Sequence, residues 1–466
     1  MYFRLSRLRN IFLFLVLLYG LYFVLFIATA TTPIPPSSWK CLGTTDRNRI
    51  CHITNLCVDR WHGPFVIVDN DATGVPPAVN LINANEDEDL WLQIKAFPQG
   101  SQPWLRASQH IKDTLYVYGL FSPFHFSHFL YNGLMPLFST MMDDRQQHPP
   151  PHTASDWTLR AQTFWTKHTV LDMEIFPPGH DLVMDSWDVT SKRQTKLPML
   201  PMCFDRAVVG TGNRCSLWYC ERNIPHDHYS AFKSEVLNTT LSPQTNPCLG
   251  SVTEHATYGN ASTDQPKTRV FAILNRAKSR HITNIPELIT ALRQAYPHDV
   301  IREIRFDDGC DMRSSAELVK DVDVLIASFG NGQGAGVFMK PNSIIISIDA
   351  RYYTESWFYW PMTSIGIRLY TFECTRASCQ EFEPALVKEL APDLSAEQVA
   401  AVMRDENPAD VKWEVVEMYR KQVSRKVDVE RFLPFLSDKL ASQAYKCSDL
   451  CKPPFDRNGF PFDATV

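Results

Sequence analysis

Short apolar runs alternate with segments of helical spacing in the second half of the chain. Residues 270–274 are all apolar, as expected of a strand that is buried on both faces of a parallel sheet. Asn284 and Glu287 then have the spacing of a capping box, which predicts the start of a helix. The helical spacing continues at Leu288, Ile289, Leu292 and Ala295. The same alternation is repeated by strands at 300–304, 322–327 and 344–348 and a helix near 314–320.

This alternation predicts an α/β fold with a parallel sheet, whose ligand binds beyond the carboxyl ends of the strands. Residues 61–240 show it less regularly and are predicted to form an N-terminal α/β half. An irregular stretch with several prolines and glycines, 241–268, is predicted to be a linker or a surface insertion. Residues 269–466 are then the C-terminal half, which ends in closing helices.

The amino terminus holds a long uncharged apolar run, residues 11–30. About 20 apolar residues are enough to cross a bilayer as a helix. Basic residues precede the run at Arg4, Arg7 and Arg9. This pattern predicts a cytosolic tail at 1–10, an uncleaved signal anchor at 11–30 and a body in the lumen.

A cleaved signal peptide is the alternative to the anchor, because residues 28–30 have the small-x-small form of a cleavage site. In both cases the body enters the secretory pathway. Residues 31–60 are predicted to be a stem, since 31–38 are rich in proline and extended.

The cysteines and sequons agree with an oxidising compartment. The chain has 12 cysteines, an even number, and no C-x-x-C pair, so disulfides are favoured over a zinc site. Asn238 and Asn260 each begin an N-glycosylation sequon. Four close pairs are Cys51 and Cys57, Cys215 and Cys220, Cys374 and Cys379, and Cys447 and Cys451. The net charge of -5 argues against nucleic acid as a partner.

A basic loop at residues 275–281 follows the strand 270–274 and precedes a helix. It contains Arg276, Lys278 and Arg280. Fixed cations beside a helix N-terminus form an anion site, for which a diphosphate is the natural ligand. A solvated basic loop is the alternative, but the place of the loop at the carboxyl end of a strand favours binding.

A glycine-rich turn follows the strand 322–327. Its glycines allow close approach of the backbone to a ligand, and successive N–H groups there can hold a phosphate or a ribose. They are Gly330, Gly332, Gly334 and Gly336, a spacing that matches neither of the usual phosphate-binding glycine motifs.

Two further segments carry candidate chemistry. His125 and His128 precede an amphipathic helix, where a histidine can act as a general base; packing of one and solvation of the other is the alternative. Residues 307–311 offer carboxylates to a metal, but a turn with a disulfide cysteine is the favoured interpretation.

The order of these segments resembles glycosyltransferase family 61. This family includes plant xylosyl- and arabinosyltransferases and animal O-linked N-acetylglucosaminyltransferases. Residues 125–132 are similar to its early motif N-F-x-H-F-L-x-D, and 275–284 are similar to S-R-x-x-S-R-R-x-x-N. Residues 323–343 align without a gap on the signature D-V-L-I-G-x-H-G-A-G-L-T-N-x-L-F-M-x-P-x-S.

The resemblance implies a GT-B-like enzyme with two Rossmann-like halves behind a transmembrane helix. It implies inverting transfer of a pentose or N-acetylglucosamine from a UDP-sugar to a hydroxyl of a glycan or glycoprotein. With His128 as the base, the implied donor-binding residues are Asn275, Arg276, Ser279, Arg280, Gly330 and Gly332. Since arginines neutralise the leaving group, no metal or other cofactor is expected. The Golgi membrane is the favoured location, with the endoplasmic reticulum as the alternative.

The chain departs from the family pattern at two positions. Phe329 stands where the signature has histidine, and Asn132 stands where the early motif has aspartate. These departures favour a second hypothesis, a non-catalytic glycan-binding relative of the same fold, whereas the basic loop favours a working donor site. A hydrolase is disfavoured, because neither G-x-S-x-G nor H-E-x-x-H occurs.

Overall fold

The computed structural model divides the chain into two compact units. The first comprises Met1–Phe121, Thr140–Glu174 and Pro178–Arg214, and the second comprises Ser122–Ser139, Ile175–Pro177 and Cys215–Val466. The residues that the structure describes are 16–21, 35–59, 63–69, 74–81, 91–92, 94–101, 109–119, 126–147, 161–164, 187–188, 193–194, 202–215, 222–238, 249, 253–255, 268–276, 279–306, 310, 312–350, 358–373, 380–381, 384–404, 406, 408 and 410–442.

The first unit contains a mixed seven-stranded sheet in the order β6-β3-β2-β11-β7-β8, with β1 paired to β2. β2 runs antiparallel to β1, β3 and β11, whereas β7 runs parallel to β8 and β11. The strands up to residue 215 are β1 Ser38–Leu42, β2 Ile50–Asp59, β3 Gly63–Asp69, β4 Val79–Asn80, β5 Trp91–Leu92, β6 Lys95–Pro98, β7 Gln109–Gly119, β8 Ala161–Phe164, β9 Trp187–Asp188, β10 Arg193–Gln194, β11 Met202–Val209 and β12 Arg214–Cys215.

Disulfides cross-link this first sheet. Cys41 bonds Cys51 between β1 and β2, and Cys57 bonds Cys203 between β2 and β11. The predicted disulfide bonding is therefore confirmed. The close pair Cys51 and Cys57 does not bond to itself, because each of the two cysteines faces a neighbouring strand instead.

The second unit contains a six-stranded sheet, together with short additional strands and most of the described helices. Its strands are β13 Arg222–Asn223, β14 Thr253–His255, β15 Val270–Asn275, β16 Val300–Arg305, β17 Val324–Ser328, β18 Ile344–Asp349, β19 Arg368–Glu373, β20 Gln380–Glu381 and β21 Ser424–Arg425. The six-stranded sheet is formed by β14 to β19.

Three consecutive helical segments run from residue 126 to residue 147, and the division between the two units falls within the last of them. They are Phe126–His128, the π-helix Phe129–Leu134 and Met135–Gln147. Further helices of the second unit are His226–Asn238, Ile285–Ala295, Met312–Val319, the 3₁₀ helix Asn331–Phe338, Tyr359–Ser364, Pro384–Leu390, Ala396–Met403, Trp413–Gln422 and Val429–Ala441.

The sheet of the second unit has the order β14-β16-β15-β17-β18-β19. The strands from β16 to β19 are parallel, and β14 is an antiparallel edge strand. From β15 the chain moves outward to β16 and then returns to the other side of β15 to form β17. This reversal is a topological switch point, where α/β folds bind ligands beyond the carboxyl ends of the strands.

Burial explains why the apolar runs form the centre of this sheet. Every residue of β17 and β18 is buried, as expected of central parallel strands covered on both faces. The helix Ile285–Ala295 packs into the same core through Ile285, Leu288, Ile289 and Leu292. The predicted α/β fold with parallel strands is confirmed, and the two-half GT-B arrangement stays a prediction.

The predicted capping box does not form. Asn284 is the N-cap of the helix Ile285–Ala295, but its side chain does not cap that helix. The Asn284 Nδ2 atom donates to Val427 O at 2.8 Å and to Glu287 Oε2 at 3.0 Å, and Oδ1 accepts from Val427 N at 2.9 Å. The backbone of Val427, a buried residue, needs these partners, and the asparagine supplies them.

The predicted tail and anchor lie almost wholly outside the described residues. Of that stretch the structure describes residues 16–21, which are helical and exposed. Among the helices described, none is long and apolar enough to cross a membrane.

Candidate functional site

The basic loop is closed by the side chain of its first residue. Asn275 is the last residue of β15, and its Oδ1 accepts from Arg276 N at 2.9 Å and from Ile282 N at 3.3 Å. These bonds turn the chain back on itself directly beyond the strand. Arg276, Ser279 and Arg280 are each partly buried there, whereas Lys278 lies outside the described residues.

Both described arginines of the loop reach the glycine turn beyond β17. A Cβ atom built on Gly330 would lie 2.7 Å from Arg276 Nη1 and 2.9 Å from Arg280 Nη1. The φ of Gly330 is +150°, a conformation that favours glycine. The two guanidinium groups therefore converge on one bare stretch of backbone, at the switch point between β15 and β17.

Arg280 is held in an uncommon conformation. Its φ is +58°, in the left-handed region, which costs a non-glycine residue about 1 kcal/mol or more. Its backbone N donates to Gln422 O at 3.0 Å, and its Nε donates to Gln422 Oε1 at 3.1 Å. No sequence pattern pointed to Gln422, which lies 142 positions along the chain from Arg280.

The other glycines of the turn allow close packing. A Cβ would lie 2.7 Å from Leu274 Cδ2 at Gly332, 2.6 Å from Ser127 Oγ at Gly334 and 2.4 Å from Ile345 Cδ1 at Gly336. All three lie in the 3₁₀ helix Asn331–Phe338, which begins next to the arginines. The donor-binding role of Gly332 stays a prediction, and the structure shows that its missing side chain makes room for β15.

Side-chain bonds fasten the His128 segment to this 3₁₀ helix. Ser127 Oγ donates to Asn331 O at 2.8 Å, and Tyr131 OH donates to Gly334 O at 2.5 Å. Burial raises the pKa of Tyr131 well above its ordinary value, and the nearby Tyr229 raises it further. The hydroxyl therefore remains a hydrogen-bond donor. His128 is thereby tied, through its neighbour Ser127, to the residue that follows Gly330.

A buried asparagine sets the tautomer of His128. Nδ1 of His128 lies 3.1 Å from Oδ1 of Asn132, four residues further along the helical segments. An amide oxygen can only accept, so Nδ1 carries the proton and Nε2 is the basic nitrogen. The bond lies in a π-helical stretch, a form that is frequent at functional sites. His125 lies outside the described residues.

Phe329 belongs to an aromatic cluster in the core of the unit. It is only 4% exposed, and its ring centre lies 6.0 Å from that of Phe358. The ring of Phe358 in turn lies 6.1 Å from that of Tyr131. The residue at the position of the family histidine therefore contributes packing, since its side chain has no group that transfers a proton.

Other signature positions stabilise the opposite edge of the sheet. Asp323 precedes β17, and its carboxylate accepts from Val270 N at 2.8 Å and from Lys340 Nζ at 2.7 Å. Ser343 Oγ donates to Val322 O at 2.8 Å. These residues join strands at their amino ends, away from the arginines, and their contacts are structural.

The remaining predicted residues lie mostly beyond what the structure describes. Asn238 is the last residue of the helix His226–Asn238, and Asn260 lies outside the described residues. Of the candidate metal turn, residue 310 is described, and Cys310 is disulfide-bonded.

Comparison with known proteins bears on this same region. Residues 126–346 match the family model Glycosyltransferase 61. These residues are a glycosyltransferase 61 domain. The domain includes His128, both arginines and the glycine turn, and the predicted family resemblance is confirmed. Gln422 lies outside the matched range.

One curated relative adds to this match. The chain is 18% identical over 332 residues to Protein O-linked-mannose beta-1,4-N-acetylglucosaminyltransferase 2 of Takifugu rubripes. The matched part is 66% of this chain and 52% of the relative, so the chain spans about half the length of that protein. The domain and the relative are both of the glycosyltransferase class, as predicted for this chain.

Proposed function

We propose that this protein transfers a sugar from a UDP-sugar to a hydroxyl of a glycan or glycoprotein, with inversion at the anomeric carbon. The observation that carries this proposal is the convergence of Arg276 and Arg280 on Gly330 at the switch point of the sheet. Two guanidinium groups beside a bare backbone suit a diphosphate, which accepts paired N–H donors and needs its charge neutralised. The glycosyltransferase 61 domain supports a nucleotide sugar as the source of that diphosphate.

The reaction is a single displacement. The acceptor hydroxyl gives its proton to Nε2 of His128 while its oxygen forms a bond to the anomeric carbon. The bond from that carbon to the diphosphate oxygen breaks, and both of its electrons leave with the nucleoside diphosphate. Arg276 and Arg280 stabilise the charge that develops on the departing diphosphate, so no metal is required for this step.

A non-catalytic glycan-binding role is the second candidate. The burial of Phe329 in an aromatic cluster favours it, because an imidazole at that position is lost. The amide of Asn132 also provides no charge to stabilise a protonated His128. The arginine site favours the transferase, since a glycan-binding protein does not need to bind a nucleotide.

The proposed location is the Golgi membrane, as a single-pass type II protein with its body in the lumen; the endoplasmic reticulum is the alternative. The uncharged run 11–30 and the preceding arginines support an anchor of this orientation. The disulfides of the first unit support a body that folds in an oxidising compartment.

Thermal unfolding of the full-length protein in detergent with UDP, GDP or ADP tests the donor site. A ligand at about 100 times its dissociation constant stabilises the native state by about 2.7 kcal/mol. We expect UDP to raise the unfolding temperature equally with and without EDTA. Arg276→Ala should weaken UDP binding about tenfold or more, because a bond between charged groups is lost.

The matched control is Arg404→Ala, which removes an arginine whose side chain is 58% exposed in the second unit. It should leave the UDP-dependent shift unchanged. If no nucleotide stabilises the wild-type protein, the donor site is wrong and the glycan-binding role is the better hypothesis. A shift that vanishes in EDTA would contradict the metal-independent mechanism alone.

A further inference from the structure

Gln422 contacts the arginine site from outside the matched family region. It is the last residue of the helix Trp413–Gln422, and the segment beyond it forms β21. The last carbonyl groups of a helix have no partner within that helix and are available to other donors. Gln422 offers both such a carbonyl and a side-chain amide.

Two atoms of Gln422 bind the backbone and the side chain of Arg280. Its carbonyl oxygen accepts from Arg280 N at 3.0 Å, and its Oε1 accepts from Arg280 Nε at 3.1 Å. The first bond holds the left-handed backbone conformation of Arg280, and the second orients the plane of the guanidinium group. In that orientation Nη1 lies next to Gly330.

The segment after Gln422 is itself fixed to the basic loop. Arg425 N donates to His281 O at 2.9 Å, and Thr283 N donates to Arg425 O at 2.9 Å. Ser424 Oγ lies 2.8 Å from Nδ1 of His281. Because Ser424 and Arg425 are almost completely buried, this attachment holds Gln422 in one place relative to Arg280.

We propose that Gln422 is a positioning residue that directs the guanidinium of Arg280 at the diphosphate of the nucleotide sugar. The inference rests on the proposed transferase function and adds a residue beyond the matched domain to its donor site. A free arginine side chain loses up to about 2 kcal/mol of rotamer entropy when it binds, and a bond at Nε removes part of that loss beforehand. The amide achieves this without adding a negative charge beside the diphosphate.

A double-mutant cycle in the full-length protein tests this role. UDP and uridine binding are measured by calorimetry for the wild type, Gln422→Ala, Arg280→Ala and the double variant. We expect Gln422→Ala to weaken UDP binding about fivefold to tenfold, the loss of one hydrogen bond to a charged group. In the Arg280→Ala background the same change should have no further effect, because its only route to the ligand is gone.

Two controls separate positioning from a general structural effect. Glu417→Ala changes an exposed residue of the same helix and should leave UDP binding unchanged. Uridine lacks the diphosphate, so its affinity should be equal in the wild type and Gln422→Ala. A merely structural defect would instead weaken uridine and UDP together and would add to the effect of Arg280→Ala.

The outcomes distinguish this inference from the function on which it rests. Wild-type affinity for UDP in Gln422→Ala, or losses that add in the double variant, would overturn the positioning role and leave the donor site intact. Failure of the wild type to bind UDP would overturn the donor site and the role of Gln422 with it.

Discussion

Glycine suits position 330 for two reasons, its backbone conformation and the lack of room for a side chain. Its φ of +150° disfavours a side chain, and the volume that a Cβ would occupy is bordered by Arg276 and Arg280. The atoms that border it are the ends of flexible side chains, which can move away. A side chain at this position would therefore disturb the proposed anion site more than the stability of the fold.

Gly330→Ala should lower UDP affinity about tenfold, because the new methyl group displaces both guanidinium groups by a few tenths of an ångström or more. The matched control is Gly100→Ala, where φ is +78° and an added Cβ would meet no atom of the described residues within 4 Å. Both variants should lose about 1–2 kcal/mol of stability from backbone strain. Urea unfolding and UDP calorimetry check these values, and equal UDP affinity in the two variants would contradict the prediction.

At the scale of elements, the site depends on a loop that is held at both ends. Asn275 closes the basic loop at the end of β15, and Asn284 joins its far end to the backbone of Val427. Both asparagines satisfy backbone groups that the turn would otherwise leave without partners. The helix Ile285–Ala295 and the segment after β21 are thereby connected beside the arginines.

Asn284→Ala should destabilise the second unit by about 2–3 kcal/mol, since two bonds to the backbone of Val427 are lost together. Asn284→Asp retains the acceptor and should lose less. Gln294→Ala, at an exposed position of the same helix, should change stability by less than about 0.5 kcal/mol. Urea unfolding checks the order of the three variants. A loss at Asn284→Ala no larger than at Gln294→Ala would show that the link to Val427 is unimportant.

At the scale of the whole molecule, compartment and fold are connected through the disulfides. The bond between Cys57 and Cys203 spans 146 residues of sequence and joins neighbouring strands of one sheet. A cross-link over so long a loop lowers the entropy of the unfolded chain. In the loop-entropy model this stabilises the folded state by about 5 kcal/mol. Such a bond forms and persists in an oxidising compartment.

In microsomes from cells that express the full chain, we expect the body to be protected from added protease until detergent is present. The protein should stay in the membrane pellet at alkaline pH if the uncharged run 11–30 is the proposed membrane anchor. Glycosidase treatment should reduce its mass, and Asn238→Gln with Asn260→Gln should abolish that reduction. Digestion of the body in sealed vesicles, or alkylation of Cys57 and Cys203 without reductant, would contradict a luminal body.

The sequence by itself determined the features that depend on neighbouring residues. Apolar runs and helical spacing identified the strands and α-helices from residue 270 to residue 348, because a buried strand and a half-buried helix each have a characteristic spacing of apolar residues. The 3₁₀ helix Asn331–Phe338 was predicted only as a glycine-rich turn, since its glycines carry no apolar spacing. The cysteine composition predicted disulfides, and the ordered motifs predicted the family that the match at residues 126–346 confirms.

Only the tertiary structure decided which distant residues meet. The partner of Cys57 is Cys203, and the partner of Arg280 is Gln422, at separations for which sequence spacing carries no signal. The sequence also does not show that the glycines have different neighbours: Gly330 faces the arginines, whereas Gly334 faces the side chain of Ser127. The physical reason is that such contacts follow from strand order and helix packing, which bring together positions that no local pattern relates.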